Sequence, residues 1–150
     1  MSVVTTIGRG LIKRQTKSVI FTGASGLGLA GTTTTFFTTT GEVLLVYLVP
    51  FVVATLTQNL ATPTLGLGVA NATELFIAAT TATNLVTGEF WTESTGGGTA
   101  EAGIALPAAL KEIVISSNIV GVVGGTNNIN GGTLRLDAYY LPLSSNGALA

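Results

Sequence analysis

The chain has 150 residues, 47% of them hydrophobic and only 9% charged, with a formal net charge of −1. There is no Cys and no His, which removes disulfides, thiolate nucleophiles, the usual zinc frameworks and the commonest general base. The length fits one domain, and charge stands far below the roughly 25% of an ordinary soluble domain, so much of the surface is expected to face protein rather than water.

Four of the six basic residues, Arg9, Lys13, Arg14 and Lys17, lie in the first seventeen positions, and residues 1–15 contain no acid. The apolar positions there (Val3, Val4, Ile7, Leu11, Ile12) fit neither a long helix nor a regular strand. Residues 1–17 are therefore expected to form an extended arm that docks on a neighbouring subunit, with those four cations as its assembly contacts. No apolar run of signal-peptide length follows the cations, so a secretory signal is not expected.

From Lys17 onward, Thr, Val and Ile recur in short runs punctuated by Gly, Asn and Pro, which is β patterning. Strands are predicted over 18–22, 33–39, 42–57, 64–69, 74–79, 111–116, 119–123 and 133–141. Turns fall at Thr40-Gly41, Asn59, Asn71, 96–98, Gly124-Gly125 and 130–132. Residues 80–89 read as a loop or short strand, and 104–110 can carry one helical turn. In the TTTTFFTTT run at 32–40, Thr side chains can occupy one exposed face.

About eight short strands, no long helix and frequent glycine turns predict an all-β fold, an antiparallel sandwich or single jelly roll over 18–150 behind the arm. The long run 43–56 holds fourteen residues interrupted by Pro50. It is too short for a spanning helix, which needs about 20 apolar residues, and reads as a strand. Both of its faces are apolar, whereas an antiparallel sandwich strand normally wets one. Taken with strict alternation, Val43, Leu45, Tyr47, Val49, Phe51 and Val53 share a face that is expected to be buried in the core or against another copy.

Several motifs suggest chemistry. Residues 19–30, VIFTGASGLGLA, resemble the TGxxxGxG phosphate-binding turn of short-chain dehydrogenases, where glycines let the backbone approach a dinucleotide. That turn needs a helix immediately after it, and here the chain runs on into Gly31 and a threonine series, poor helix material. None of Tyr47, Tyr139 and Tyr140 has a Lys four residues on, so the catalytic pair of that family is absent. A Gly-rich loop between two strands accounts for the same letters. Glu89, Glu93 and Glu101 cluster in sequence around Trp91 but lack cation-loop or glycosidase spacing. Ser and Thr are abundant without a base to activate them. No enzyme activity, cofactor or metal is therefore expected. Phe90, Trp91 and Glu93 form a candidate recognition loop that could stack on a sugar, the alternative being that the aromatics plug the core. The basic residues lack interleaved aromatics, so no nucleic acid is expected as a partner, and no membrane.

The C-terminal stretch 131–147, GGTLRLDAYYLPLSSNG, resembles the last strand and tail of small structural proteins of tailed bacteriophages. Those chains also carry a Gly/Thr-rich start, a long apolar strand and a Thr-Ala-Thr segment followed by Trp, here Thr81-Ala82-Thr83 and Phe90-Trp91. The resemblance implies a jelly-roll virion component of the capsid decoration or cement type. Its partners would be the major capsid protein or other virion proteins, it would form a homo-oligomer (a trimer favoured), and it would sit on the capsid surface. A tail or head-fibre component and a carbohydrate- or receptor-binding sandwich are the alternative roles.

Overall fold

The computed structural model describes residues 12–96 and 103–150. Arg9 and most of the expected arm lie outside them, as do Glu101 and part of the glycine turn at 96–98. Among the described residues ten strands form: β1 (Lys13–Ile20), β2 (Thr33–Phe37), β3 (Thr39–Thr40), β4 (Val43–Gln58), β5 (Thr64–Val69), β6 (Ala72–Thr81), β7 (Lys111–Ile115), β8 (Ile119–Gly124), β9 (Ile129–Pro142) and β10 (Ala148–Leu149). Single 3₁₀ turns occupy Ala82–Asn84 and Ala108–Leu110. The first strand begins earlier than the sequence pattern suggests, because residues 13–17 find partners on β9 from Tyr140 to Leu136.

Two four-stranded antiparallel sheets, in the orders β1-β9-β4-β7 and β2-β8-β5-β6, pack face to face, and β3 pairs with β10 as a short ribbon. The pairing is nested. β5 lies beside β6, β4 beside β7, β2 beside β8 and β1 beside β9, so the chain folds as one long hairpin wrapped across two layers. That is the jelly-roll arrangement. The register places the β1–β2, β4–β5, β6–β7 and β8–β9 connections at one end, since Ile20 meets Thr133, Gln58 meets Ile129, and Thr64 meets both Gly124 and Thr81.

Inward positions of both layers make one continuous core. Val19, Leu48, Val52, Leu56, Leu134 and Leu136 of the first sheet meet Phe36, Leu65, Leu67, Phe76, Ile119 and Val123 of the second. Phe36 lies directly over Gly121, where a Cβ would stand 2.6 Å from the ring. Within the threonine run, Thr33 and Thr35 are exposed while Thr34 turns inward and is buried, its hydroxyl without a partner among the described residues. The TGASGLG segment is the β1–β2 loop. Thr22 and Gly23 donate to the Leu27 carbonyl, and Leu29 donates to that of Ala24. Gly28 has φ +108°, and a Cβ there would collide with the Ile129 carbonyl. The chain then enters strand β2 rather than a helix, so the glycines serve loop closure against β9.

Candidate assembly interface

β4 is the strand around which the candidate surface is built. Its inward side chains are Val43 and Leu45 up to residue 45, and Leu48, Val52 and Leu56 after it, all fully buried. The parity changes because the β4–β9 ladder steps from Leu45 opposite Tyr140 to Tyr47 opposite Tyr139, leaving Val46 as an extra residue. Such a bulge places two residues against one and reverses which later side chains face the core. On the other side of β4, Glu112 stands in the gap between Ile113 (opposite Leu45) and Lys111 (opposite Tyr47) and takes φ +57°, unusual for a non-glycine residue. The irregularity thus crosses the sheet.

The six alternating positions taken from the sequence therefore divide. Val43 and Leu45 belong to the core, while Tyr47 and Val53 are 46% and 43% exposed, and Val49 and Phe51 are half-buried on the outer face. Register adds their neighbours. Leu44 lies between Leu141 of β9 and Val114 of β7, and Val114 is 59% exposed. Tyr139 lies opposite Tyr47 with the rings edge-to-face at 6.4 Å, and Phe51 meets Phe90 at 5.2 Å. One side of the β1-β9-β4-β7 sheet thus carries a band of aliphatic and aromatic groups with no second layer over it among the described residues.

A charged cluster sits in the middle of that band. Asp137, opposite Val49, is buried. Its Oδ1 accepts from Arg14 Nη2 and Thr16 Oγ1, both at 2.6 Å, and from Arg14 Nε at 3.1 Å, while Oδ2 accepts from Arg135 Nε at 3.1 Å. Burial by itself would raise the Asp137 pKa. The hydrogen bonds from Thr16 and Arg14, with the charges of Arg14 and Arg135, outweigh it and hold the carboxyl below its usual range. The same pairing raises Arg14. Each guanidinium also lies over a ring, Arg14 over Tyr139 at 5.7 Å and Arg135 over Phe51 at 4.9 Å. The buried carboxylate is thus fully paired, while the two half-exposed guanidiniums leave the cluster with one net positive charge spread over flat groups that lie on aromatic rings.

The other sequence candidates land elsewhere. Arg14 joins this face. Lys13 and Lys17 stand at inward register positions opposite Tyr140 and Leu136, yet both are exposed at the sheet edge. Charged side chains aimed inward on an edge strand discourage pairing with another strand. Residues 85–91 run along β4 beyond the end of β7. Val52 N donates to Glu89 O, Gly88 N to Val52 O, and Trp91 N to Pro50 O. Phe90 therefore faces outward beside Phe51, and Trp91 faces inward. The Trp91 indole is fully buried and donates to Thr80 Oγ1 at 3.0 Å, so its ring is part of the core; Glu93 is exposed. Asp137, Arg135, Tyr139, Leu141, Leu44 and Val114 escaped the sequence reading. Alternation along β9 (Leu134, Leu136, Ala138, Tyr140 against Arg135, Asp137, Tyr139) was a usable signal for some of them. Their union with Arg14 needed the fold.

Among the described residues no three His, Cys, Asp or Glu side chains gather as a metal site, and no helix is long and apolar enough to cross a membrane. No protein-family model matches the chain, and no curated protein matches it. Among solved structures, a chain of the cyanophage Pam1 capsid asymmetric unit is similar over 87% of this chain and 85% of its own, at 21% identity and a TM-score of 0.46. A likeness of that degree assigns no role.

Proposed function

We propose that this chain is a structural virion protein, a decoration or cement subunit that stabilises a tailed-phage head through contacts with the major capsid protein and with copies of itself, a trimer being the favoured form. The observation that carries this reading is the outer face of the first sheet, without a covering layer among the described residues, where Tyr47, Val49, Phe51, Val53, Tyr139, Leu44 and Val114 surround the paired Arg14–Asp137–Arg135 cluster. Covering such a face releases roughly 25 cal/mol per Å² of apolar area. A specific interface of about 1,600 Å² suffices to offset the association cost when it holds aromatic and arginine anchors. The C-terminal resemblance to phage structural proteins and the low overall charge support the same role. In it the chain needs neither catalysis nor a cofactor, and residues 1–11 add a tether from the start of β1.

The test uses the full chain and a variant carrying Tyr47→Ser, Val53→Ser and Val114→Ser, all at exposed positions where the fold tolerates polarity. Light scattering after size exclusion reads the oligomer, and co-sedimentation with undecorated heads reads attachment. The expected result is an oligomeric wild type that co-sediments and a folded variant that does neither. A wild type that stays a single copy at high concentration and ignores the heads overturns the proposal, as does a variant that assembles normally. Removing residues 1–11 leaves β1 whole and should weaken attachment without unfolding the domain; a deletion through residue 15 would cut into that strand.

A further inference from the structure

At the end of the sandwich where four connections gather, the β4–β5 and β8–β9 turns enclose a cleft of about 210 Å³ lined by Asn59, Leu60, Thr126, Asn127, Asn128 and Asn130. Five of the six are amides or a hydroxyl, and none is charged. One wall is rigid. Asn128 accepts from the Ala30 amide at 2.9 Å and donates to the Gly23 carbonyl at 3.2 Å, tying the β8–β9 turn to the Gly-rich β1–β2 loop. That double tether gives the loop a use which phosphate binding does not supply. The other wall is braced by Gln58, whose Nε2 reaches Leu60 O at 3.5 Å and Thr62 Oγ1 at 3.3 Å, while its Oε1 is buried without a partner among the described residues. The Asn59 and Asn130 amides make no hydrogen bond among the described residues, and Asn127 spends only one N–H, on its neighbour Thr126. The exposed Leu60 side chain rims the cleft.

We infer that this amide-lined cleft is a binding site for one residue of a neutral carbohydrate. A side-chain amide offers donors and an acceptor together, which matches a sugar hydroxyl that both gives and receives. The absence of any charged group argues against a phosphate, a carboxylate or a hard cation, which need cationic or carboxylate partners. The volume is below that of pockets for drug-sized ligands, so the cleft suits a single ring, with Leu60 placed to cover an apolar ring face. Walls already held by Asn128 and Gln58 lose little freedom on binding. The site is separate from the proposed assembly face and stands or falls independently of it.

The experiment is an NMR titration of the isotope-labelled full chain with methyl glucoside, methyl galactoside, rhamnose and N-acetylglucosamine. Inorganic phosphate and galacturonate serve as charged probes. Saturable shifts of the Asn59, Asn127 and Asn130 side-chain amide signals, with millimolar affinity for at least one neutral sugar, are expected. Asn59→Ala and Asn127→Ala should each weaken that affinity about tenfold, the effect of one lost hydrogen bond, with the backbone spectrum otherwise preserved. The inference is overturned if no neutral sugar moves those signals at tens of millimolar. It is also overturned if the shifts survive both substitutions, or if phosphate produces the same pattern.

Discussion

Deleting Val46 is expected to leave the protein folded, whereas deleting Val49, three residues on, is expected to cripple it. Val46 is the extra residue between Leu45 and Tyr47, so its removal makes the β4–β9 ladder continuous and leaves every other side chain on its present face. The cost is confined to β7, where Glu112 loses its counterpart, and amounts to one or two strained hydrogen bonds, about 1–2 kcal/mol. Without Val49, the least expensive repair dissolves the bulge and turns Tyr47 inward and Leu48 outward. Leu48 is fully buried, and exposing it costs about 1.5–3 kcal/mol. Forcing a tyrosine into its place adds about 1–3 kcal/mol. The sum, about 2.5–6 kcal/mol, is a large part of the 5–15 kcal/mol that typically holds a domain together. Urea denaturation followed by far-UV circular dichroism gives both values from the midpoints, provided the slope is unchanged. If the Val46 deletion proves as damaging as the Val49 deletion, the bulge does not set the parity of β4, and the outer face has been assigned to the wrong residues.

Replacing Trp91 by Ala should cost about 3–5 kcal/mol in the same assay, because a fully buried ring and its bond to Thr80 are lost. An unchanged midpoint would place the ring outside the core. The Asp137 carboxyl is held below its ordinary value of 3.8, so its contribution is complete above that pH and fades as pH falls towards the lower folded-state value. Asp137→Asn should therefore be less stable than wild type at neutral pH by about 1–2 kcal/mol, kept modest by the half-exposed arginines. That gap should narrow in acid, and a gap independent of pH would refute the linkage. Glu112→Gly should raise stability by up to about 1 kcal/mol by relieving the positive φ, while Glu112→Val should lower it; the reverse order would contradict the backbone geometry.

The strand pattern was legible because burial imposes a period of two wherever one face is wet. Residues 64–69 coincide with β5, and the sandwich class followed from short Thr/Val/Ile runs between glycine turns. The period misled where it was interrupted. Nothing in the run VLLVYLVPFVV marks Val46 as surplus, since apolar residues sit on both sides of it. The parity change could be seen only from the pairing of Leu45 with Tyr140 and of Tyr47 with Tyr139. Likewise, Lys13 and Arg14 read as arm residues because charge predicts exposure, and both are exposed; that they also pair with β9 depends on a strand more than a hundred residues away.

Composition and local periodicity thus determined what the backbone does: β strands, their approximate limits, a glycine loop closing onto a strand rather than opening a helix, and a chain poor in charge. The tertiary structure alone decided which side of β4 meets the core, that Trp91 faces inward, that Arg14, Arg135 and Asp137 join as one cluster, and that two separate turns meet around the asparagine cleft. The division is physical. Backbone preference and alternation act between neighbours in the chain, whereas register, bulges and charge pairing are settled between residues that meet only after folding.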